Sequence, residues 1–307
     1  MQKYSVFNLI KNAFSSHENW EVAWKDPTPK KSYDVIIIGG GGHGLATAYY
    51  LAKEHNITNV AIIEKGWIGG GNVGRNTTII RSNFMHDANG RFNEFSMDLW
   101  RNMSQELNFN VMFSPRGIIN LAHSDAQMNA YARRGNSMRL NGIDAVLLNR
   151  EQVKKLIPMA DFSEDVRFPI FGGLMQPSAG TARHDAVAWG YARQADSMGV
   201  DIIQNCEVIG FDVVGGKIKG VRTSKGDIKA NKIGLCVAGS TSILAEKLNM
   251  TLPIETHLLQ ACVSEPIKPL LDHVVTFGAG HFYCSQSDKG EMVMGGDLDG
   301  YNSYAQR

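Results

Sequence analysis

The residues most suited to chemistry are the sequence GGGGHG at positions 39–44, which contains the spacing G-x-G-x-x-G. In such a turn the first glycine allows a tight bend, the second lets a pyrophosphate approach the backbone, and the third lets helix and strand pack closely. Backbone N–H groups at the start of the following helix then bind the anion. We therefore predict a phosphate-binding turn formed by Gly39, Gly41, Gly42, His43 and Gly44.

An acidic residue completes this pattern. Glu64 ends a second short apolar segment, 20 residues after Gly44. A carboxylate at about this distance accepts hydrogen bonds from a ribose diol and repels a 2′-phosphate, which disfavours NADP. The alternative, an ordinary glycine-rich turn, does not account for the acidic residue at this spacing.

The segment that follows Glu64 favours FAD over NAD. Residues 65–81 are rich in Gly, Asn and Thr, so they offer many backbone and hydroxyl donors to a second phosphate and a flavin ring. A flexible surface loop is the alternative, but the apolar pair Ile79-Ile80 argues against full exposure. The residues that we expect at the cofactor are Lys65, Asn72, Gly74, Arg75, Asn76, Thr77, Thr78 and Ile79.

These residues require a β-α-β unit to position them. A buried strand is predicted over 34–38, a helix over 45–54 and a second strand over 60–63, with a right-handed crossover between the strands. Further on, we predict a helix over 186–198 and a strand over 201–208. The fold class is therefore α/β, a Rossmann-like FAD-binding domain with a second α+β substrate domain on a mostly antiparallel sheet.

The order of these elements predicts that the FAD-binding domain is interrupted. Later alternating segments suit an antiparallel hairpin turning at Gly215-Gly216 and a second sheet beyond Pro253. The parts that we predict are an N-terminal arm and linker (1–32), a FAD-binding domain (33–105 plus 165–250) and a substrate domain (106–164 plus 251–307).

Composition narrows the class of protein. The net charge of +1 gives no electrostatic reason to expect nucleic acid or an anionic membrane. The four cysteines form no C-x-x-C pair, which argues against a zinc site and a disulfide framework. The first 20 residues lack the apolar core of a signal peptide, and no stretch has 18 apolar residues in a row. We expect a cytoplasmic enzyme that acts on small molecules without a metal.

Three stretches resemble one family, the β subunits of heterotetrameric sarcosine oxidases: residues 35–81, TARHDAVAW at 181–189 and DGYNSY at 299–304. The likeness extends over nearly the whole chain and includes YSVF at 4–7. It implies the D-amino-acid-oxidase-like architecture, noncovalent FAD, a covalently attached FMN, and partner subunits α, γ and δ. NAD and a tetrahydrofolate-binding region are implied on the α subunit.

The resemblance also implies roles for single residues. His184 matches the histidine that bonds the 8α position of FMN, and Arg183 beside it is a candidate partner of the FMN phosphate. Arg81 matches the arginine that binds the substrate carboxylate, a task suited to its planar, permanently charged fork. Val208 and Gly239 match two points of backbone contact with FAD. The alternatives are a surface salt bridge for Arg81, a structural histidine, and a plain strand end and turn.

The implied reaction is the oxidation of sarcosine to glycine with formaldehyde or methylene-tetrahydrofolate, and with hydrogen peroxide formed from oxygen. Two alternatives remain open, a related FAD dehydrogenase acting on dimethylglycine, glycine or glycerol 3-phosphate, and a noncatalytic flavin-fold scaffold. The family continues beyond the position of Arg307 with a glycine-rich segment and a substrate-binding lysine. We therefore expect the 307-residue chain alone to bind FAD poorly or to be inactive.

Overall fold

A computed structural model describes residues 5–16, 18, 20–257 and 259–298, and for 297 and 298 it describes the backbone only. The predicted motif at 299–304 lies outside the described residues. The α-helices are α1 (Val6–Phe14), α2 (Gly42–His55), α3 (Asp87–Glu106), α4 (Asp125–Leu140), α5 (Arg150–Leu156), α6 (His184–Ser197) and α7 (Thr241–Glu246).

The strands form two large sheets and one small ribbon. They are β1 (Ser32–Ile38), β2 (Val60–Ile63), β3 (Ile79–Ile80), β4 (Ile118–Ala122), β5 (Val146–Asn149), β6 (Gly172–Gln176), β7 (Gly180–Thr181), β8 (Asp201–Ile203), β9 (Val208–Val214), β10 (Lys217–Thr223), β11 (Gly226–Leu235), β12 (Leu259–Pro266), β13 (Val274–Phe277), β14 (Phe282–Gln286) and β15 (Glu291–Leu298). Two 3-10 turns cover Val73–Arg75 and Ala238–Ser240.

The six-stranded sheet has the order β8-β2-β1-β11-β10-β9. Strands β8, β2, β1 and β11 are parallel, whereas β10 and β9 form an antiparallel extension. The predicted β-α-β unit is confirmed, with β1 and β2 paired in parallel and α2 between them in sequence. Apolar clusters cover both faces of the sheet, so its central strands read as continuous β-branched runs.

The seven-stranded sheet has the order β12-β15-β14-β13-β4-β6-β5. Only β4 and β13 are parallel among its pairs in the described chain, which confirms the mostly antiparallel second sheet. Strand β6 pairs with β4 and β5, so the predicted domain boundary at 165 does not follow sheet membership. Strand β6 begins with two glycines, so it lacks the alternation of apolar and polar residues that predicts a strand. The fold requires the first of them, because a Cβ on Gly172 would lie 2.4 Å from the Leu148 carbonyl oxygen.

The strand predicted over 201–208 was also wrong in extent. Strand β8 ends at Ile203, and Val208 begins β9 instead of ending the earlier strand. Asn205 between them has φ +49°, a left-handed conformation that interrupts an extended chain.

A two-stranded ribbon links distant parts of the chain. Ile79 pairs with Thr181, and Ile80 pairs with Gly180, in antiparallel register. Each strand has two residues, too few to give a sequence pattern. The ribbon brings the segment after β3 next to the segment that leads into α6.

We expect Ile62→Ala to lower the free energy of unfolding by about 2 to 5 kcal/mol, because a fully buried side chain in β2 leaves a cavity. Ile62 is 0% exposed. Guanidinium unfolding measures the effect. The control Ile209→Ala, at a position 54% exposed on edge strand β9, should change stability by no more than about 0.5 kcal/mol. Equal losses in the two variants would contradict the described core.

Candidate functional site

The glycine turn leaves β1 under close steric constraint. Gly39 has φ +108°, and its N–H donates to the Ile63 carbonyl oxygen at 2.8 Å. A Cβ here would lie 2.3 Å from the carbonyl oxygen of Cys236, which follows β11. Gly44 is equally confined, since its Cβ would lie 2.0 Å from the Gly39 carbonyl oxygen. The first and third glycines of the motif are therefore required by the fold itself.

The second glycine is not confined in this way. A Cβ on Gly41 would meet one described atom within 4 Å, Val73 Cγ2 at an ordinary 3.6 Å, and Gly42 has the same surroundings. Gly41 is the N-cap of α2, and within the described chain no side chain caps that helix end. The exposed His43 occupies the first turn. The free space and the uncapped N–H groups together form a surface on which a phosphate group fits.

Glu64 lies at the mouth of this turn. Its Oε2 accepts a hydrogen bond from the Gly40 N–H at 2.7 Å, and its Oε1 accepts one from the Gly66 N–H at 2.9 Å. The side chain is half-buried. Each carboxylate oxygen can accept a further hydrogen bond, so the geometry suits a ribose diol. That role stays a prediction.

The loop after Glu64 folds back onto the turn. The Gly69 N–H donates to the Gly40 carbonyl oxygen at 3.0 Å, and the Gly74 N–H donates to the Gly69 carbonyl oxygen at 2.7 Å. The predicted cofactor residues Lys65, Asn72, Gly74, Arg75 and Asn76 are exposed, and Thr77, Thr78 and Ile79 are half-buried. Thr78 has φ +64° and its N–H donates to Asn76 Oδ1 at 2.5 Å, which bends the chain into β3.

The segments that contain Gly239 and Val208 also come close to the glycine turn and to Glu64, and their contact with FAD stays a prediction. The Cys236 N–H donates to the Ile38 carbonyl oxygen at 2.8 Å. This bond holds the end of β11 beside the glycine turn, and the 3-10 turn that contains Gly239 follows directly. The Glu64 carbonyl oxygen accepts from the Cys206 N–H at 2.9 Å. That bond holds the start of β9, with Val208, beside the acidic residue.

Arg81 is a cation with no carboxylate partner among the residues that the structure describes. It is half-buried, its Nη1 donates to Asn83 Oδ1 at 2.6 Å, and its guanidinium lies 4.6 Å from the Phe84 ring centroid. Among the described residues it forms no ion pair with a carboxylate. Burial, and secondly the nearby Arg134, lower the pKa of Arg81 from its ordinary value. Such a group can receive an external carboxylate.

His184 begins α6, after the ribbon that also precedes Arg81. Its Nδ1 atom is buried and has no hydrogen-bond partner in the described part of the chain. Arg183, the N-cap, is already engaged: Nε and Nη2 donate to Asp185 Oδ1 and Oδ2 at 3.0 and 2.6 Å, and Nη1 lies 3.4 Å from Asp288 Oδ2. The Arg183 side chain lowers the pKa of Asp185. A phosphate at Arg183 would have to share this guanidinium with two carboxylates.

Sequence reasoning missed the residues that surround Arg81. Asn83 lies two positions on, and Arg134 in α4 donates from Nε to the Asn83 carbonyl oxygen at 2.7 Å. Arg134 lies more than fifty positions from Asn83 and belongs to no motif. Its location depends on how α4 packs, so no local signal could have found it.

The described residues contain neither a membrane-spanning helix nor a metal-binding cluster. They include no helix long and apolar enough to cross a membrane. They also include no group of three or more His, Cys, Asp or Glu side chains placed to hold a metal ion.

Comparison with known proteins places this geometry in context. The family model described as FAD dependent oxidoreductase matches residues 34–306. Sarcosine oxidase subunit beta of Rhizobium meliloti is 61% identical over 305 residues, covering 99% of this chain and 73% of the relative. Its counterpart from Rhodobacter capsulatus is 52% identical over 307 residues, covering 100% and 74%. The crystal structure of L-proline dehydrogenase from P. horikoshii superposes with a TM-score of 0.81 at 28% identity, covering 89% of this chain and 71% of that one.

We expect Gly41→Ala to fold normally and to weaken FAD binding by roughly 10- to 100-fold, because its methyl group would hold the pyrophosphate away from the backbone N–H groups, at about the cost of one hydrogen bond to a charged group. The methyl group would occupy space that the protein leaves open. Gly44→Ala, whose methyl would overlap the Gly39 carbonyl oxygen, should instead lower the thermal unfolding temperature. Flavin titration and thermal unfolding measure the two effects. Tight FAD binding by Gly41→Ala would show that the cofactor phosphates lie elsewhere.

Proposed function

The chain belongs to the FAD-dependent oxidoreductases, within them to the sarcosine oxidase β-subunit family, and we propose that it oxidises sarcosine. The products would be glycine, formaldehyde or methylene-tetrahydrofolate, and hydrogen peroxide. The observation that carries the proposal is the 61% identity to one sarcosine oxidase subunit beta over 99% of this chain. The relatives are named as subunits, which supports assembly with further chains; we propose α, γ and δ.

The residues present fit FAD. The pyrophosphate would bind at Gly41 and Gly42, where the described backbone leaves room and the start of α2 is uncapped. The ribose would bind at Glu64, and the loop 65–79 would cover the rest of the cofactor. When bound, FAD supplies the acceptor of the two electrons that leave the substrate.

Arg81 would bind and orient the substrate. Its half-buried guanidinium forms no ion pair within the described residues, so the carboxylate of an amino acid would complete it. Fixing the carboxylate at one end of a molecule as small as sarcosine leaves its N-methyl group only a short range of positions. Orientation of this kind can account for much of an enzyme's rate.

His184 is the residue to which we propose that FMN is covalently attached. The support is its place in the TARHDAVAW motif and its buried Nδ1 atom, which lacks a partner in the described structure. The ring is held at the start of α6, where the peptide dipoles favour an anionic group nearby. NAD and tetrahydrofolate would bind the partner α subunit.

Coexpression with the partner subunits tests the proposal. The assembled, flavin-containing protein should consume oxygen when sarcosine is added and form hydrogen peroxide. A noncatalytic scaffold would assemble but leave the complex inactive. A related dehydrogenase would oxidise its substrate only with an artificial electron acceptor.

For the assembled enzyme, we expect Arg81→Met to raise KM for sarcosine by about 10²- to 10³-fold, because the half-buried charge that would pair with the carboxylate is lost. Arg81→Lys should recover part of the loss, since a point charge remains without the planar fork. Steady-state oxygen consumption measures both. The control Arg133→Met, at an exposed position of α4, should leave KM unchanged. An unchanged KM in Arg81→Met would exclude Arg81 from substrate binding.

We expect His184→Ala to abolish covalent flavin while noncovalent FAD remains. Acid precipitation separates the two, because covalently bound flavin stays in the pellet. In the unaltered enzyme, tryptic mapping should find the flavin mass on the peptide that contains His184. An unmodified peptide from flavin-replete protein would contradict the assignment of FMN.

A further inference from the structure

Asn83 lies at the centre of a buried polar network that reaches Arg81. It is 1% exposed. Its Oδ1 accepts from Arg81 Nη1 at 2.6 Å, and its Nδ2 donates to Asn120 Oδ1 at 2.7 Å. With the amide reversed, an NH₂ group would face the guanidinium donors, so the network sets one orientation. The oxygen of Asn83 therefore points at Arg81.

The network is anchored in the seven-stranded sheet. Asn120 lies on β4 and is 8% exposed. Its Nδ2 donates to Thr276 Oγ1 on the neighbouring strand β13. Each group in this series donates to the next one: Arg81 to Asn83, Asn83 to Asn120, and Asn120 to Thr276. The two amide side chains thus connect the guanidinium to the paired strands β4 and β13. Buried and paired polar groups of this kind hold a single geometry.

A second cation reaches the same residue. Arg134 donates from Nε to the Asn83 carbonyl oxygen at 2.7 Å and from Nη2 to the same oxygen. Like Arg81, it is half-buried and forms no ion pair with any described carboxylate. Burial is the main reason that the pKa of Arg134 is lowered. The positive charge around Asn83 is thus increased and not neutralised.

The nearby acidic residue is used elsewhere. Glu94 Oε2 accepts from Ser82 Oγ at 2.6 Å, and its Oε1 pairs with Arg101 Nη2 at 2.9 Å. The carboxylate of Glu94 thus contacts Ser82, the residue just before Asn83. Arg81 nevertheless has the neutral amide of Asn83 as its partner.

We propose that Asn83 is a positioning residue that holds Arg81 with a neutral oxygen and so keeps its charge available for the substrate carboxylate. This inference rests on the proposed function of Arg81. An aspartate at position 83 would still accept from the guanidinium, but it would form the ion pair inside the protein and would lose the Nδ2 donor to Asn120. Selectivity for a carboxylate over its neutral amide then depends on the absence of charge at position 83.

Two variants separate charge from structure in the flavin-loaded full-length enzyme assembled with its partners. Both variants lose the donor to Asn120; Asn83→Ala also removes the oxygen that accepts from Arg81, whereas Asn83→Asp keeps such an oxygen and adds the competing charge. The probes are methoxyacetate, an unreactive isostere of sarcosine, and its neutral amide, each titrated by the change in flavin absorbance. We expect Asn83→Asp to bind methoxyacetate about 10- to 100-fold more weakly than Asn83→Ala. The two variants should bind the amide equally.

Asn89→Asp is the matched control, because it adds the same charge at an exposed position of α3 and should leave both dissociation constants unchanged. Flavin content and thermal unfolding show whether each variant folds. Equal weakening of methoxyacetate binding in Asn83→Asp and Asn83→Ala would overturn the proposal and leave Asn83 a structural role. Failure of the unaltered enzyme to bind methoxyacetate would also overturn the proposal. If that enzyme binds methoxyacetate but does not oxidise sarcosine, the proposed function fails while the comparison still decides the role of Asn83.

Discussion

The structure depends on the close approach of three backbone segments where β1 ends. Gly39 passes beneath the carbonyl oxygen of Cys236, donates to Ile63 and leaves no space for a side chain. Because β1 pairs in parallel with both β2 and β11, the carboxyl ends of all three strands open at one edge. Glu64 and the turn that contains Gly239 reach the glycine turn for that reason. Ligand sites in open parallel sheets occur at such edges.

The charged residues at the two ends of the site, Glu64 and Arg81, have different kinds of partner. At the glycine turn, peptide N–H groups already satisfy Glu64 in part, so the cofactor would share a prearranged set of hydrogen bonds. At Arg81 the protein leaves a cation without a carboxylate among the described residues and gives it the amide oxygen of Asn83 and the ring of Phe84 as neighbours. A half-buried charge of this kind costs free energy in the absence of a ligand. That cost is a common feature of functional sites.

Local sequence pattern predicted the glycine turn, its acidic partner, the β-α-β unit of β1, α2 and β2, and the hairpin at Gly215-Gly216, because each depends on neighbours within about twenty-five residues. It failed where pattern was weak. Strand β6 contains two glycines, and α3 was not predicted because Phe92 and Phe95, 73% and 65% exposed, do not lie on a buried face. The ribbon of β3 and β7 joins residues about one hundred positions apart.

The amino-acid sequence alone determined the class of cofactor and the family, since glycine spacing, Glu64 and the long motifs are read along the chain. Only the tertiary structure decided which glycines the fold itself requires and which face open space. It also decided that Arg183 is engaged by carboxylates and that Arg81 is held by Asn83, with Arg134 beside it. These outcomes depend on distances between segments that no local pattern encodes, because burial and pairing of charges arise only when helices and sheets pack together.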